Sequence, residues 1–245
     1  LKCIKRMKPP ILVTGSIYTV GEAMLNLSLQ KGKINPERLM AELREGTRGH
    51  AYLGEHAKEQ TPFQVLISTV LSQRTRDENT HRAASALFER APGPCEILNL
   101  NEGELEMLIR PAGFYNQKAR AIRKLSRVLL DDFDGEVPTT MEGLLSLPQV
   151  GRKTANCVLV YSFGKDALPV DTHVHRISNF LKLVETDSPQ KTEEALMRVI
   201  PKKYWKEING LMVRYGQSVC VPVSPRCGIC RLKDFCPKEN ADKRK

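Results

Sequence analysis

No stretch of this 245-residue chain approaches the roughly 20 consecutive apolar residues that a membrane-crossing helix needs. With 41% hydrophobic residues and ample length for a buried core, it reads as a soluble globular protein. A clear secretory signal is also missing. Basic residues near the start precede an apolar run over 11–20, but Thr14, Gly15 and Ser16 interrupt it and no small-residue cleavage site closes it. Apart from that weak run, no alternating strand of useful length is present, which excludes a sheet-based fold. The centre of the chain lacks charge of one sign. The net charge is +10, yet residues 1–33 contribute +5 and residues 220–245 contribute +4, so the middle is close to neutral. Such charge permits an anionic partner without requiring one.

What is there is helical punctuation. Asn35-Pro36 supplies an N-cap and a first-turn proline for a helix to about Glu45. Pro62 opens an apolar helix over 63–71 that ends at Ser72-Gln73. Asp77 is placed to cap the next helix, through Ala83, Ala84, Leu87 and Phe88. Asn101 with Glu104, and Thr139 with Glu142, form two capping-box starts. Over 115–132 the residues Ala119, Ile122, Leu125 and Leu129 share one face at helical spacing. Further helices are expected over 152–163, closed by Gly164, and at about 172–182, 189–199 and 205–219. The fold class is all-α.

The segment Leu147-Pro148-Gln149-Val150-Gly151-Arg152-Lys153-Thr154-Ala155 ends one helix, turns, and at once begins another. Gly151 is expected to give backbone freedom and room for a second backbone. The unpaired N–H groups of the turn and the new helix form an anion site suited to a phosphate, with no side-chain charge needed. Lys153 falls in the first turn, where the positive dipole end favours a neutral amine and is expected to lower its pKa. A neutral lysine is a nucleophile able to form a Schiff base; a solvated lysine touching phosphate is the plainer alternative. Asp171, in Val170-Asp171-Thr172-His173, has the position of an N-cap worth about 1 kcal/mol. It is equally a carboxylate able to stabilise developing positive charge and move protons.

Four of the seven cysteines crowd near the C-terminus as Cys220-x6-Cys227-x2-Cys230-x5-Cys236, with no histidine close by. That clustering points to a metal site in a reducing compartment rather than to disulfides. Four thiolates at this spacing suit zinc or a [4Fe–4S] cluster.

Together these segments resemble the endonuclease III family of the helix–hairpin–helix glycosylase superfamily. Leu71-Ser72-Gln73 and Gly113-Phe114-Tyr115-Asn116-Gln117-Lys118-Ala119 extend the match, which runs from about Glu45 to Cys236. The resemblance implies a six-helix barrel domain over 53–166 ending with the hairpin. A discontinuous domain over 31–52 and 167–245 holds a [4Fe–4S] cluster on the four cysteines, and residues 1–30 form an extension. It implies a DNA glycosylase/AP lyase that flips an oxidised pyrimidine out of duplex DNA and nicks the strand by β-elimination. The partner is double-stranded DNA carrying damaged pyrimidines or abasic sites, met by a monomer in the cytoplasm on the nucleoid. Lys153 matches the nucleophile and Asp171 the catalytic aspartate. Gln73 matches a residue that fills the gap in the stack, Phe114 an apolar wedge, and His173 a pocket residue. Gln149, Val150, Gly151 and Arg152 match the DNA-binding hairpin. Adenine-mismatch relatives carry a small or hydroxyl residue at the place of Lys153, and thymine-mismatch relatives a tyrosine.

Departures are specific. Gln149 replaces the first glycine of the family hairpin, at a cost on the order of 1 kcal/mol if the position is left-handed. The loop between Cys220 and Cys227 holds one basic residue, Arg226, while Arg74-Thr75-Arg76-Asp77 is unusually basic.

Overall fold

The computed structural model describes residues 34–47 and 60–237. The extension over 1–30, its apolar run and Cys3 lie outside those residues. Helices begin where local chemistry can satisfy their first N–H groups. Asn35 caps α1 (Pro36–Gly46) through the Arg38 N–H. Thr61 and Gln64 form a reciprocal capping box on α2 (Pro62–Ser72). Helix α3 (Asp77–Arg90) is capped by the backbone of Arg76 rather than by Asp77, which stands inside its first turn. A short α4 (Pro94–Asn99), unexpected from the sequence, follows Gly93, which offers no side-chain cap. Then come α5 (Glu102–Leu108), capped by Asn101, and the long α6 (Tyr115–Asp132).

The hairpin consists of α7 (Met141–Ser146) and α8 (Arg152–Tyr161). Thr140, not the adjacent Thr139, caps α7 by accepting from the Gly143 N–H. Helix α9 (Thr172–Phe180) is capped by Asp171, α10 (Pro189–Val199) by Ser188, and α11 (Trp205–Ser218) follows a 3₁₀ turn over Lys202–Tyr204. Two 3₁₀ turns, Cys227–Ile229 and Lys233–Phe235, carry the cysteine region. Among the described residues there is no strand, so the fold is all-α, and no helix is long and apolar enough to cross a membrane.

Burial divides the apolar side chains into two clusters. One runs from Phe63 to Ala167 and includes Leu66, Ile67, Leu87, Ile122, Leu125, Leu144 and Val158. The other joins Leu39, Met40 and Leu43 of α1 to residues from Leu168 to Leu232, among them Ile177, Leu196, Ile208 and Met212. Helix α2 packs on α3 and α8 in the first cluster; α11 packs on α9 and α1 in the second. The chain passes between cores at Ala167-Leu168, directly before Asp171. The nucleophile candidate and its acidic partner therefore arrive from opposite cores.

Candidate active site

A cleft of about 680 Å³ is lined from both cores, by Ser72, Gln73, Lys153 and Cys157 on one side and Asp171, His173, Asn209 and Gln217 on the other. Gln217 Nε2 donates to Asp77 Oδ2 at 3.1 Å and so connects α11 to the start of α3. The volume suits one nucleoside-sized ligand and is far too small for a duplex.

Lys153 is half-buried in the first turn of α8. Its ammonium is held above the ordinary lysine range. The Cys157 sulfur one helical turn along, and then the Asp171 carboxylate, favour the charged form over the opposing effect of burial. This corrects the expectation drawn from the helix dipole: two specific partners act at closer range than the diffuse field of the helix end. The Cys157 thiol is pushed up by its burial, so it is neutral near pH 7. Asp171 takes the capping role that its position indicated. Its Oδ1 accepts from the His173 and Val174 N–H groups, each at 2.9 Å, which caps α9; Oδ2 takes no part in that cap. His173 packs against Gly216, where a Cβ would overlap the imidazole ring. Burial holds its pKa down, so the ring is neutral at pH 7.

The hairpin turn distributes its roles differently from the expectation. Gly151 has φ −89°, open to any residue, and a Cβ there would meet nothing within 4 Å. The left-handed position is Gln149, at φ 63°, with its side chain exposed. Val150 is a core residue, 6% exposed, and its N–H donates to Leu147 O. The Arg152 guanidinium is bound to Glu193 of α10. Its Nε lies 3.1 and 3.0 Å from the two carboxylate oxygens, and Nη2 lies 3.0 Å from Oε1. Helix α8 has neither a side-chain cap nor an acidic residue in its first turn, so its leading N–H groups remain available to an anion.

Gln73 ends α2, with Nε2 at 3.5 Å from both Gln149 O and Thr154 Oγ1. Phe114 begins α6 at φ 60° and is 56% exposed, so it is no core aromatic. Between these two lies Lys118, a residue to which the sequence motifs assign no role of its own. It is 6% exposed, and burial pushes its ammonium down to about 8. Its position on the apolar stripe of α6 with Ile122, Leu125 and Leu129 was the available signal. Cys157, four residues after Lys153, was legible in the same way.

None of the six described cysteines is joined in a disulfide. Cys220, Cys230 and Cys236 are half-buried against the second core. Cys230 Sγ lies 3.2 Å from the Tyr215 hydroxyl, which accepts from the Arg231 N–H. Among the described residues, no three His, Cys, Asp or Glu side chains converge on a point that could hold a single metal ion. The donor set, four soft thiolates with no histidine among them, fits a cysteine-held iron–sulfur cluster.

The class follows from the hairpin, the lysine at its second helix and the two-core cleft. The family model described as HhH-GPD superfamily base excision DNA repair protein matches residues 67–202. The iron–sulfur binding domain of endonuclease III matches residues 220–236, over the four cysteines. The chain is 52% identical to endonuclease III of Thermotoga maritima, across 73% of this chain and 84% of that protein. It is 41% identical to endonuclease III of Synechocystis, across 74% and 84%. A solved structure of a trapped endonuclease III–DNA covalent intermediate superimposes with a TM-score of 0.75 at 35% identity, over 86% of this chain and all of that one. The chain belongs to the endonuclease III family and carries its iron–sulfur binding domain.

Proposed function

We propose that this protein is a bifunctional DNA glycosylase/AP lyase of base excision repair that removes oxidised pyrimidines from double-stranded DNA. The observation that carries the reading is Lys153, held beside Cys157 and Asp171 on a cleft sized for one nucleotide. A duplex cannot enter such a cleft, so the target nucleotide must leave the stack to react. Gln73 fills the resulting gap and the exposed Phe114 wedges the opposite strand. Gln149 and the open N–H groups at Gly151 and Arg152 hold a backbone phosphate, since the Arg152 side chain is committed to Glu193. His173, neutral and on the cleft, faces the base.

At rest Lys153 is an ammonium, so the reaction opens with transfer of its proton, for which the Asp171 carboxylate is the acceptor. The free amine attacks C1′, the C1′–N bond breaks, and the base leaves with a proton. The nitrogen loses a proton, the C1′–O4′ bond breaks and O4′ takes a proton, so the opened sugar is held as a protonated Schiff base that acidifies the C2′ hydrogen. Its removal expels the 3′ phosphate oxygen and nicks the strand, and water then releases the lysine. Cys220, Cys227, Cys230 and Cys236 would hold the [4Fe–4S] cluster, which would supply a redox-capable cross-link among the C-terminal turns. We divide the chain into a barrel domain over 53–166 and a cluster domain over 31–52 and 167–245, a division supported by one apolar cluster from Phe63 to Ala167 and another joining residues 34–43 to residues 168–232. We place the protein in the cytoplasm, on the nucleoid, as a monomer.

Borohydride trapping tests the assignment. A duplex bearing thymine glycol or an abasic site should give a covalent protein–DNA adduct. Lys153→Gln should abolish it while salt-sensitive DNA binding persists. A folded wild-type protein that forms no adduct would overturn the lyase reading.

A further inference from the structure

Lys118 has no role in the chemistry just described, yet it is the most thoroughly engaged buried cation among the described residues. Its Nζ donates to Leu71 O at 2.7 Å, Gln73 O at 2.6 Å and Thr75 Oγ1 at 2.7 Å. Thr75 Oγ1 also accepts from the Gly113 N–H at 3.0 Å, and Lys118 itself lies one turn from Phe114, to whose carbonyl its N–H donates. One ammonium thus joins the loop after α2 to the start of α6. Both ends of this joint are strained. Arg74 (φ 51°) and Phe114 (φ 60°) are non-glycine residues in the left-handed region. Such backbones persist only where their surroundings over-determine them, and they concentrate at functional loops. The approach is close as well: a Cβ on Gly113 would stand 2.9 Å from Arg74 O, and the Arg74 guanidinium lies 5.8 Å from the Phe114 ring centroid.

We propose that Lys118 is the positioning residue for strand insertion. Its buried ammonium locks the Gln73 loop to the helix start at Phe114, so that both side chains enter the DNA stack as one rigid unit. This rests on the assignment of Gln73 and Phe114 as inserting residues. A lysine suits the task because three donors on one compact head can gather oxygens from two loops, whereas an apolar residue would take the ammonium from the buried Leu71 carbonyl and leave the Gln73 carbonyl with the Thr75 hydroxyl alone. Lys118 acts through the loops and touches neither substrate nor Lys153 in this scheme.

Lys118→Met and Thr75→Val test it, the second loosening the same joint without emptying the buried site. Each would be assayed by single-turnover excision from a thymine glycol duplex and by cleavage of a single-stranded abasic oligonucleotide, which has no stack to enter. Lys118→Met should slow duplex excision by about tenfold to a hundredfold, the scale expected when reacting groups are misplaced by about 1 Å. Thr75→Val should act in the same direction to a smaller extent, and single-strand cleavage should stay near wild type for both. In a Gln73→Ala/Phe114→Ala background, Lys118→Met should add nothing further. Equal losses on both substrates, or undiminished effects in that background, would show a merely structural role. If Gln73→Ala/Phe114→Ala leaves duplex excision intact, the insertion assignment itself fails. If that double variant is impaired while Lys118→Met is not, only the present proposal fails.

Discussion

Replacing Arg152 by alanine should cost this protein stability without weakening its electrostatic grip on DNA. The guanidinium is 40% exposed, but the carboxylate it holds is only 6% exposed. Removal of Arg152 would strand that carboxylate in the interior. Breaking a fully buried pair in this way costs about 3–5 kcal/mol. Water entering through the half-exposed arginine site reduces this to about 2–3 kcal/mol. The reverse perturbation is milder. Glu193→Gln leaves an arginine that can turn to solvent and an amide that still accepts one bond, a loss of about 1 kcal/mol. For a chain of this size each kcal/mol moves Tm by roughly 2–4 °C, so Arg152→Ala should lower it by roughly 5–10 °C and Glu193→Gln by roughly 2–4 °C. The double variant should be more stable than Arg152→Ala alone, because no charge is then stranded. Thermal melts followed by circular dichroism read these shifts. The salt dependence of DNA binding gives a second readout. A lost phosphate contact would flatten the log–log slope by about 0.9, and a guanidinium committed to Glu193 should leave it unchanged. Equal losses from both single variants, or a flattened slope, would refute the reasoning.

Two further predictions concern the site. Since Lys153 is held as an ammonium and attack requires the free amine, kcat/KM for abasic-site cleavage should rise with pH through the neutral range. Cys157→Val removes the sulfur that accepts a hydrogen bond from the ammonium and should shift the rising limb to lower pH. A flat profile, or a variant profile that coincides with wild type, would contradict this account. In the hairpin, Gln149→Gly relieves a left-handed backbone worth about 1–2 kcal/mol and loses part of that to unfolded-chain entropy. The net gain of about 0.5–1 kcal/mol should raise Tm by roughly 1–4 °C; a lowered Tm would mean that the exposed amide does more than its geometry indicates.

Features governed by near neighbours in the chain are legible from residue order. Asn35 and Asn101 announce helix starts because a cap bonds an N–H three residues on. The family resemblance singles out Lys153, Asp171 and the four cysteines because motif spacing is a property of sequence. Adjacent candidates are not separable in this way: Thr139 and Thr140 look alike until one is seen to accept from Gly143. Short α4 escapes detection because its cap, Gly93, contributes no side chain.

Other features depend on what folding brings close, and no local rule reaches them. The helix dipole alone gives Lys153 the wrong sign of shift because the buried Cys157 sulfur, and then Asp171 from the other core, favour its charged form. Arg152 reads as a phosphate ligand until Glu193 arrives from α10. Gly151 reads as the flexible point of the turn until the backbone puts the left-handed residue at Gln149. Lys118 stands on the apolar stripe of α6 in the sequence, but only the packing of α6 against α2 closes three oxygens around it. The sequence by itself determined the helices and the chemical groups of the site. Tertiary structure alone decided which groups are charged, which are committed to one another and which remain open to DNA, because ionisation and availability depend on distances across the cleft.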